Sequence, residues 1–130
     1  MLGYITLGSN DLDASRAFYD ALLPVIGGKE LMRFSESFIL YGVAMDKPAI
    51  AITTPHNGEA AAAGNGNMAA IVVLERAQVD ALYAKAMELG GTCEGPPGLR
   101  GDEGPMAFYA AYFRDPDGNK LCAYRMGPAT

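Results

Sequence analysis

Asp115-Pro116-Asp117-Gly118-Asn119-Lys120-Leu121-Cys122-Ala123-Tyr124 is a turn followed by a short apolar segment. Pro presets φ, while Gly and Asn accept the positive φ of a tight reversal. Phe108 to Phe113 before it reads as a strand and Leu121 to Tyr124 after it as another, which predicts a hairpin with a turn of about five residues. In the second strand alternate residues face opposite sides, so the side taken by Cys122 bears on function.

Working outward, the second half begins with a strand over Met68 to Leu74 and a helix over Arg76 to Leu89, with Val79, Leu82, Tyr83, Ala86 and Met87 on one face and Gly90-Gly91 ending it. Thr92 to Glu94 opens a further strand, and Gly95 to Pro105 reads as a long Gly/Pro loop. The first half has the same order. Gly3 to Ser9 is a strand, Asn10-Asp11 caps a helix, and Ala14, Ala17, Phe18, Ala21, Leu22 and Val25 recur at helical spacing until Pro24 and Gly27-Gly28. Leu31 to Phe34, Phe38 to Val43 and Ala49 to Thr53 complete it as strands. A shift of 64 residues places Tyr4 on Met68, Leu7 on Ile71, Phe18 on Leu82 and Tyr19 on Tyr83. The predicted fold is therefore α+β, a single domain over residues 1–130 built from two βαβββ modules, 1–56 and 67–126, joined by a connector at 57–66. Each module has one helix for one face of a sheet, so the other faces are expected to curl together around a cup-shaped cleft.

With 10 Lys and Arg against 15 Asp and Glu, the net charge is −5 and the pI about 4.7, which makes nucleic-acid binding electrostatically unfavourable. No apolar run approaches the roughly 18 to 20 residues of a membrane span, and the N-terminus lacks the pattern of a signal peptide. Two cysteines, Cys93 and Cys122, without an apolar leader point to a reducing cytoplasm rather than a disulfide framework.

Leu7 with Asn10-Asp11-Leu12-Asp13-Ala14-Ser15-Arg16-Ala17-Phe18-Tyr19, and Phe113-Arg114 with the turn through Leu121, resemble the vicinal-oxygen-chelate superfamily of glyoxalase I, bleomycin-resistance proteins and extradiol dioxygenases. The resemblance implies a cup in each module, a small-molecule ligand and a homodimer. In metal-dependent members His or Glu from the first and last strands of each module hold a divalent ion. By motif those positions fall here at Tyr4, Ala51, Met68 and Cys122. None is a His or a carboxylate, and hard divalent ions prefer oxygen and imidazole donors, so neither a metal nor another cofactor is expected. Met68 and Cys122 read as apolar space-fillers.

The remaining candidates are ligand-binding groups. His56, the sole histidine, sits after the fourth strand without a partner Ser, Cys or carboxylate motif; it is either a group at the pocket mouth or an exposed loop residue. Tyr4 offers a phenol to a ligand or packs as a core aromatic. Arg100, in the Gly95 to Pro105 loop with Asp102 and Glu103, has a donor fork suited to an anion, and a loop of that length is often a lid or binding edge. Cys122 lacks the nearby positive charge that activates a thiol. Tyr112 and Phe108 share one strand face while Tyr109 and Phe113 share the other, so one pair is expected under the helices and the other on the cup. Gly64-Asn65-Gly66-Asn67 lacks the Lys, Ser or Thr of a phosphate loop and reads as a turn.

Three functions fit these residues. One is a metal-free protein binding a small apolar or aromatic molecule; the second is a lyase, isomerase or dioxygenase with an atypical metal site or acid-base mechanism. The third, a structural or interaction module, requires a filled cup.

Overall fold

The computed structural model describes residues 1–129. The first module comprises β1 (Tyr4–Gly8), α1 (Leu12–Leu22), β2 (Lys29–Ser35), β3 (Phe38–Gly42) and β4 (Ala49–Thr53). The second comprises β5 (Ala69–Val72), α2 (Arg76–Glu88), β6 (Thr92–Leu99), β7 (Phe108–Arg114) and β8 (Lys120–Met126). Each module forms its own four-stranded mixed sheet, in the orders β1-β4-β3-β2 and β5-β8-β7-β6. First and last strands pair in parallel, and the other neighbours are antiparallel. The repeat read from the sequence is thus a repeat of topology, on two open sheets rather than one closed cup.

Asp11 caps α1 by accepting the Ala14 N–H at 3.0 Å. Gln78 Oε1 accepts from the Leu74 and Glu75 N–H groups at the start of α2. After α1 a short 3-10 turn over Leu23–Ile26 takes in Pro24 and ends at Gly27, whose φ of 80° suits a residue without Cβ. The buried stripe of α1 is Ser15, Phe18, Tyr19 and Leu22, with Ala14 and Ala17 exposed. The alanines satisfied the helical spacing without marking the buried side. On α2 the inward residues are Val79, Leu82 and Ala86, as expected.

These side chains and Ile39, Tyr41, Ile52, Ala111, Phe113, Leu121 and Ala123 form one apolar core that combines both modules. Alternation then places the other half of each strand on the face away from the helices. On the first sheet these are Tyr4, Thr6, Ala51 and Phe38, and on the second Phe108, Tyr112, Cys122 and Tyr124.

The Asp115–Asn119 turn ties the two modules together. Asp115, 3% exposed, accepts hydrogen bonds from the Tyr19 hydroxyl at 2.7 Å, the Asn119 side-chain amide at 3.0 Å, and the backbone N–H groups of Asp117 and Asn119, both at 2.9 Å. Asn119 Nδ2 also donates to the Gly8 carbonyl at 2.9 Å, and Asp117 accepts the Asn10 N–H at 2.8 Å. Only Gly118 takes a positive φ, 87°, within the turn. Asn119 serves through its amide and not through backbone permissiveness.

In the connector, Ala61 exchanges hydrogen bonds with the Asn10 side chain, which holds that segment against the end of β1. One expectation is corrected. Gly95 to Leu99 are not loop but the second half of β6. That strand lies at the sheet edge, where prolines are tolerated, and bulges on either side of Gly95 accommodate the mismatch. The loop proper is confined to 100–107, where Glu103 pairs with Arg76 of α2.

Burial and the Asp115 carboxylate raise the Tyr19 phenol well above its ordinary value of 10, and burial with Asp20 raises Tyr41 as well. Above pH ~10 the unfolded chain therefore releases these protons before the folded one, so stability falls as pH rises further. Urea unfolding is expected to give a falling free energy between about pH 9 and pH 11. Tyr19→Phe should lower stability by about 2 kcal/mol at neutral pH and flatten that fall; an unchanged slope in the variant refutes the assignment.

Candidate functional site

Most of the candidate side chains lie on the outer faces of the two sheets. On the first, Tyr4 is 54% exposed and packs edge-on to Phe38, with ring centroids 5.8 Å apart; Phe38 in turn meets the exposed Phe34. A cleft of about 850 Å³ opens beside these rings, lined by Thr6, Phe34, Phe38, Thr53, His56 and the connector through Ala62. His56 lies at the cleft wall as an exposed residue of the segment after β4, an arrangement that both readings of it share. It has no hydrogen-bonded partner among the described residues.

A second cleft of about 460 Å³ runs between β1 and β5 and is lined by Thr6, Met68, Lys120 and the Gly64–Asn67 turn. Met68 lies just before β5 and is 44% exposed, so it is a rim residue and not a plug. Parallel register sets Thr6 beside Ala51 and Ala70 beside Cys122, while Tyr4 lies beside Ala49. Of the four positions carried over from metal-dependent relatives, Tyr4, Ala51 and Cys122 lie on the outer faces of their sheets and Met68 precedes β5; Tyr4 and Cys122 line neither cleft.

The second sheet is denser. Across it run Gly95, Tyr112, Cys122 and Ala70 in one register row, with Ala110 and Tyr124 in the next. Phe108 stacks on Tyr124 with centroids 5.2 Å apart. Cys122 is 1% exposed; burial pushes its thiol up against smaller opposing pulls from Tyr112, Arg100 and Lys120. The Tyr112 phenol is likewise raised by burial. Arg100 folds back over this face, its guanidinium 5.4 Å from the Tyr112 ring centre, and Lys120 Nζ lies 5.5 Å from the same ring. Tyr109 points the other way and donates to Asp80 of α2 at 2.7 Å.

The structure thus gathers Phe108, Tyr112, Cys122 and Arg100 on one sheet, and leaves Tyr4 and His56 on the other module. Lys120 is the residue sequence reading missed. Its signal was available, since it stands two positions before Cys122 on the same strand face.

A hard divalent ion does not fit the carried-over positions. Tyr4 and Met68 offer a phenol and a thioether, Ala51 has no donor, and Cys122 is a buried thiol whose deprotonation burial opposes. No group of three or more His, Cys, Asp or Glu able to hold a metal ion occurs among the described residues. Nor is any described helix long and apolar enough to cross a membrane.

Comparison with known proteins agrees with the topology. The family model for the Glyoxalase/Bleomycin resistance protein/Dioxygenase superfamily matches residues 1–123. A glyoxalase/bleomycin resistance protein of Albidiferax ferrireducens is 39% identical, superposes with a TM-score of 0.83, and aligns over 96% of this chain and 98% of its own. A glyoxalase-related enzyme of Fulvimarina pelagi, 24% identical, gives 0.72 over 96% and 87%. A lactoylglutathione lyase of Agrobacterium tumefaciens, 19% identical, gives 0.64 over 96% and 92%, a likeness of fold. No curated protein matches the chain. Matched over nearly its full length in sequence and fold, the chain belongs to the Glyoxalase/Bleomycin resistance protein/Dioxygenase superfamily.

Proposed function

We propose that this protein is a metal-free member of its superfamily that binds a small apolar or aromatic molecule on the outer sheet faces. The observation that carries the reading is the replacement of every carried-over metal position by Tyr4, Ala51, Met68 or Cys122, on faces that keep exposed aromatic and apolar side chains. Without a hard-donor set, polarising a substrate oxygen through a divalent ion has no support, whereas a flat ligand finds rings to stack on. Tyr4, Phe108 and Tyr112 supply that surface, with Cys122 as apolar filling and Met68, His56 and Arg100 at the edges.

A homodimer accompanies this reading. Tyr4, Phe34, Met68, Val72, Leu74 and Met106 are large apolar residues left exposed, and a second copy would cover part of this surface. Two unpaired thiols suit a reducing compartment, and we assign the cytoplasm.

Four measurements test these claims. Elemental analysis of protein purified without chelators is expected to find Mn, Fe, Ni and Zn far below stoichiometry, and the hemithioacetal of methylglyoxal and glutathione should not turn over. Metal-dependent turnover abolished by Tyr4→Phe would instead establish the lyase reading. Thiol titration of the native protein should modify exposed Cys93 quickly and buried Cys122 only on unfolding; equal rates would reopen a reactive role for Cys122. Sedimentation at micromolar concentration should return the mass of two chains, and a monomer there refutes the dimer.

A further inference from the structure

We infer that the outer face of the second sheet binds a flat organic anion, an aromatic or conjugated carboxylate, held between Arg100 and Lys120 over Tyr112. The inference rests on the ligand-binding reading above and adds the ligand's charge to it.

Glycine placement is the first support. Arg100 donates from Nη1 to the Gly98 carbonyl at 2.8 Å and from Nη2 to the Pro96 carbonyl at 2.7 Å, so its guanidinium is held back along its own strand. A Cβ on Gly95 would lie 3.1 Å from Nη2, and one on Gly98 would lie 3.3 Å from Nη1. Both glycines clear the ground that the guanidinium occupies. Its remaining N–H groups have no partner among the described residues, and a planar fork fixed in advance loses little freedom on meeting a carboxylate.

Charge is the second support. In a chain of net charge −5, neither Arg100 nor Lys120 lies within ion-pair distance of a carboxylate among the described residues, although both sit against one tyrosine ring. The carboxylate that feels Lys120, Glu94, is already bonded to Arg114 at 2.6 Å, and that bond first and Lys120 last hold it below the usual carboxylate range. The face therefore keeps a local excess of positive charge that an anion would neutralise.

Shape is the third. Phe108, Tyr124 and Tyr112 lie on this face of β7 and β8 and cover Ala110 and Cys122, which are 0% and 1% exposed, so the rings themselves form the outer surface. Rings beside paired cations favour a ligand with a flat body and a charged end over a bare inorganic anion.

Isothermal titration of the full chain with 2-naphthoate, the uncharged 2-naphthamide and acetate tests the proposal. The acid is expected to bind about tenfold more tightly than its amide, and acetate more weakly than either. Arg100→Gln and Lys120→Gln should each cost 2-naphthoate about tenfold while leaving 2-naphthamide within about twofold. Gly95→Ala keeps every charge but intrudes on Nη2, and it should weaken the acid as well. Equal affinity for acid and amide, or undiminished acid binding in all three variants, overturns the anion site and leaves the uncharged-ligand reading standing. Acetate binding as tight as 2-naphthoate overturns the flat body. Absence of binding by both naphthalenes overturns the inference and the reading beneath it together. The acid-to-amide comparison on the unaltered chain is decisive even where a variant unfolds.

Discussion

A single buried carboxylate holds the two halves of the molecule in register. Asp115 receives hydrogen bonds from its own turn and from Tyr19, which lies 96 residues earlier on the helix of the other module. A buried anion is costly unless its lone pairs are filled, and here each oxygen has two donors. Asn119 extends the same network to the Gly8 carbonyl at the end of β1. The sheets share no strand pairing, so this turn and the helical core set the relation of one module to the other.

That network also explains why two distant sequence motifs identify the fold together. The helix motif ends in Tyr19, and the late motif contains Asp115; these two residues are the two ends of one hydrogen bond. Periodicity exposed the elements because both helices have an apolar stripe against the core. It misassigned β6, because Gly95-Pro96-Pro97-Gly98 carries turn chemistry and only the edge position in the sheet makes those residues a strand. No local signal encodes which strand becomes an edge.

The site was legible to the same depth. Alternation placed Phe108 and Tyr112 on one face and sent Tyr109 and Phe113 to the other, as the register has it, and the register adds Cys122 to the first face. Arg100 was recognised as a donor fork, but its course back over Tyr112 depends on the bulges of β6, which sequence does not specify. The motifs gave Tyr4 and Ala51 as two positions of one module, and only the parallel ladder shows their stagger, with Thr6 beside Ala51 and Tyr4 beside Ala49.

The two prolines of β6 have a consequence for solubility. Pro96 and Pro97 remove consecutive N–H donors from an outermost strand, where an exposed row of backbone groups would otherwise template the addition of a foreign strand. The corresponding edge of the first sheet, β2, carries Lys29, Glu30 and Arg33. One flank is chemically blank and the other charged. Runaway growth of the sheets into aggregates is thereby discouraged at both of these edge strands.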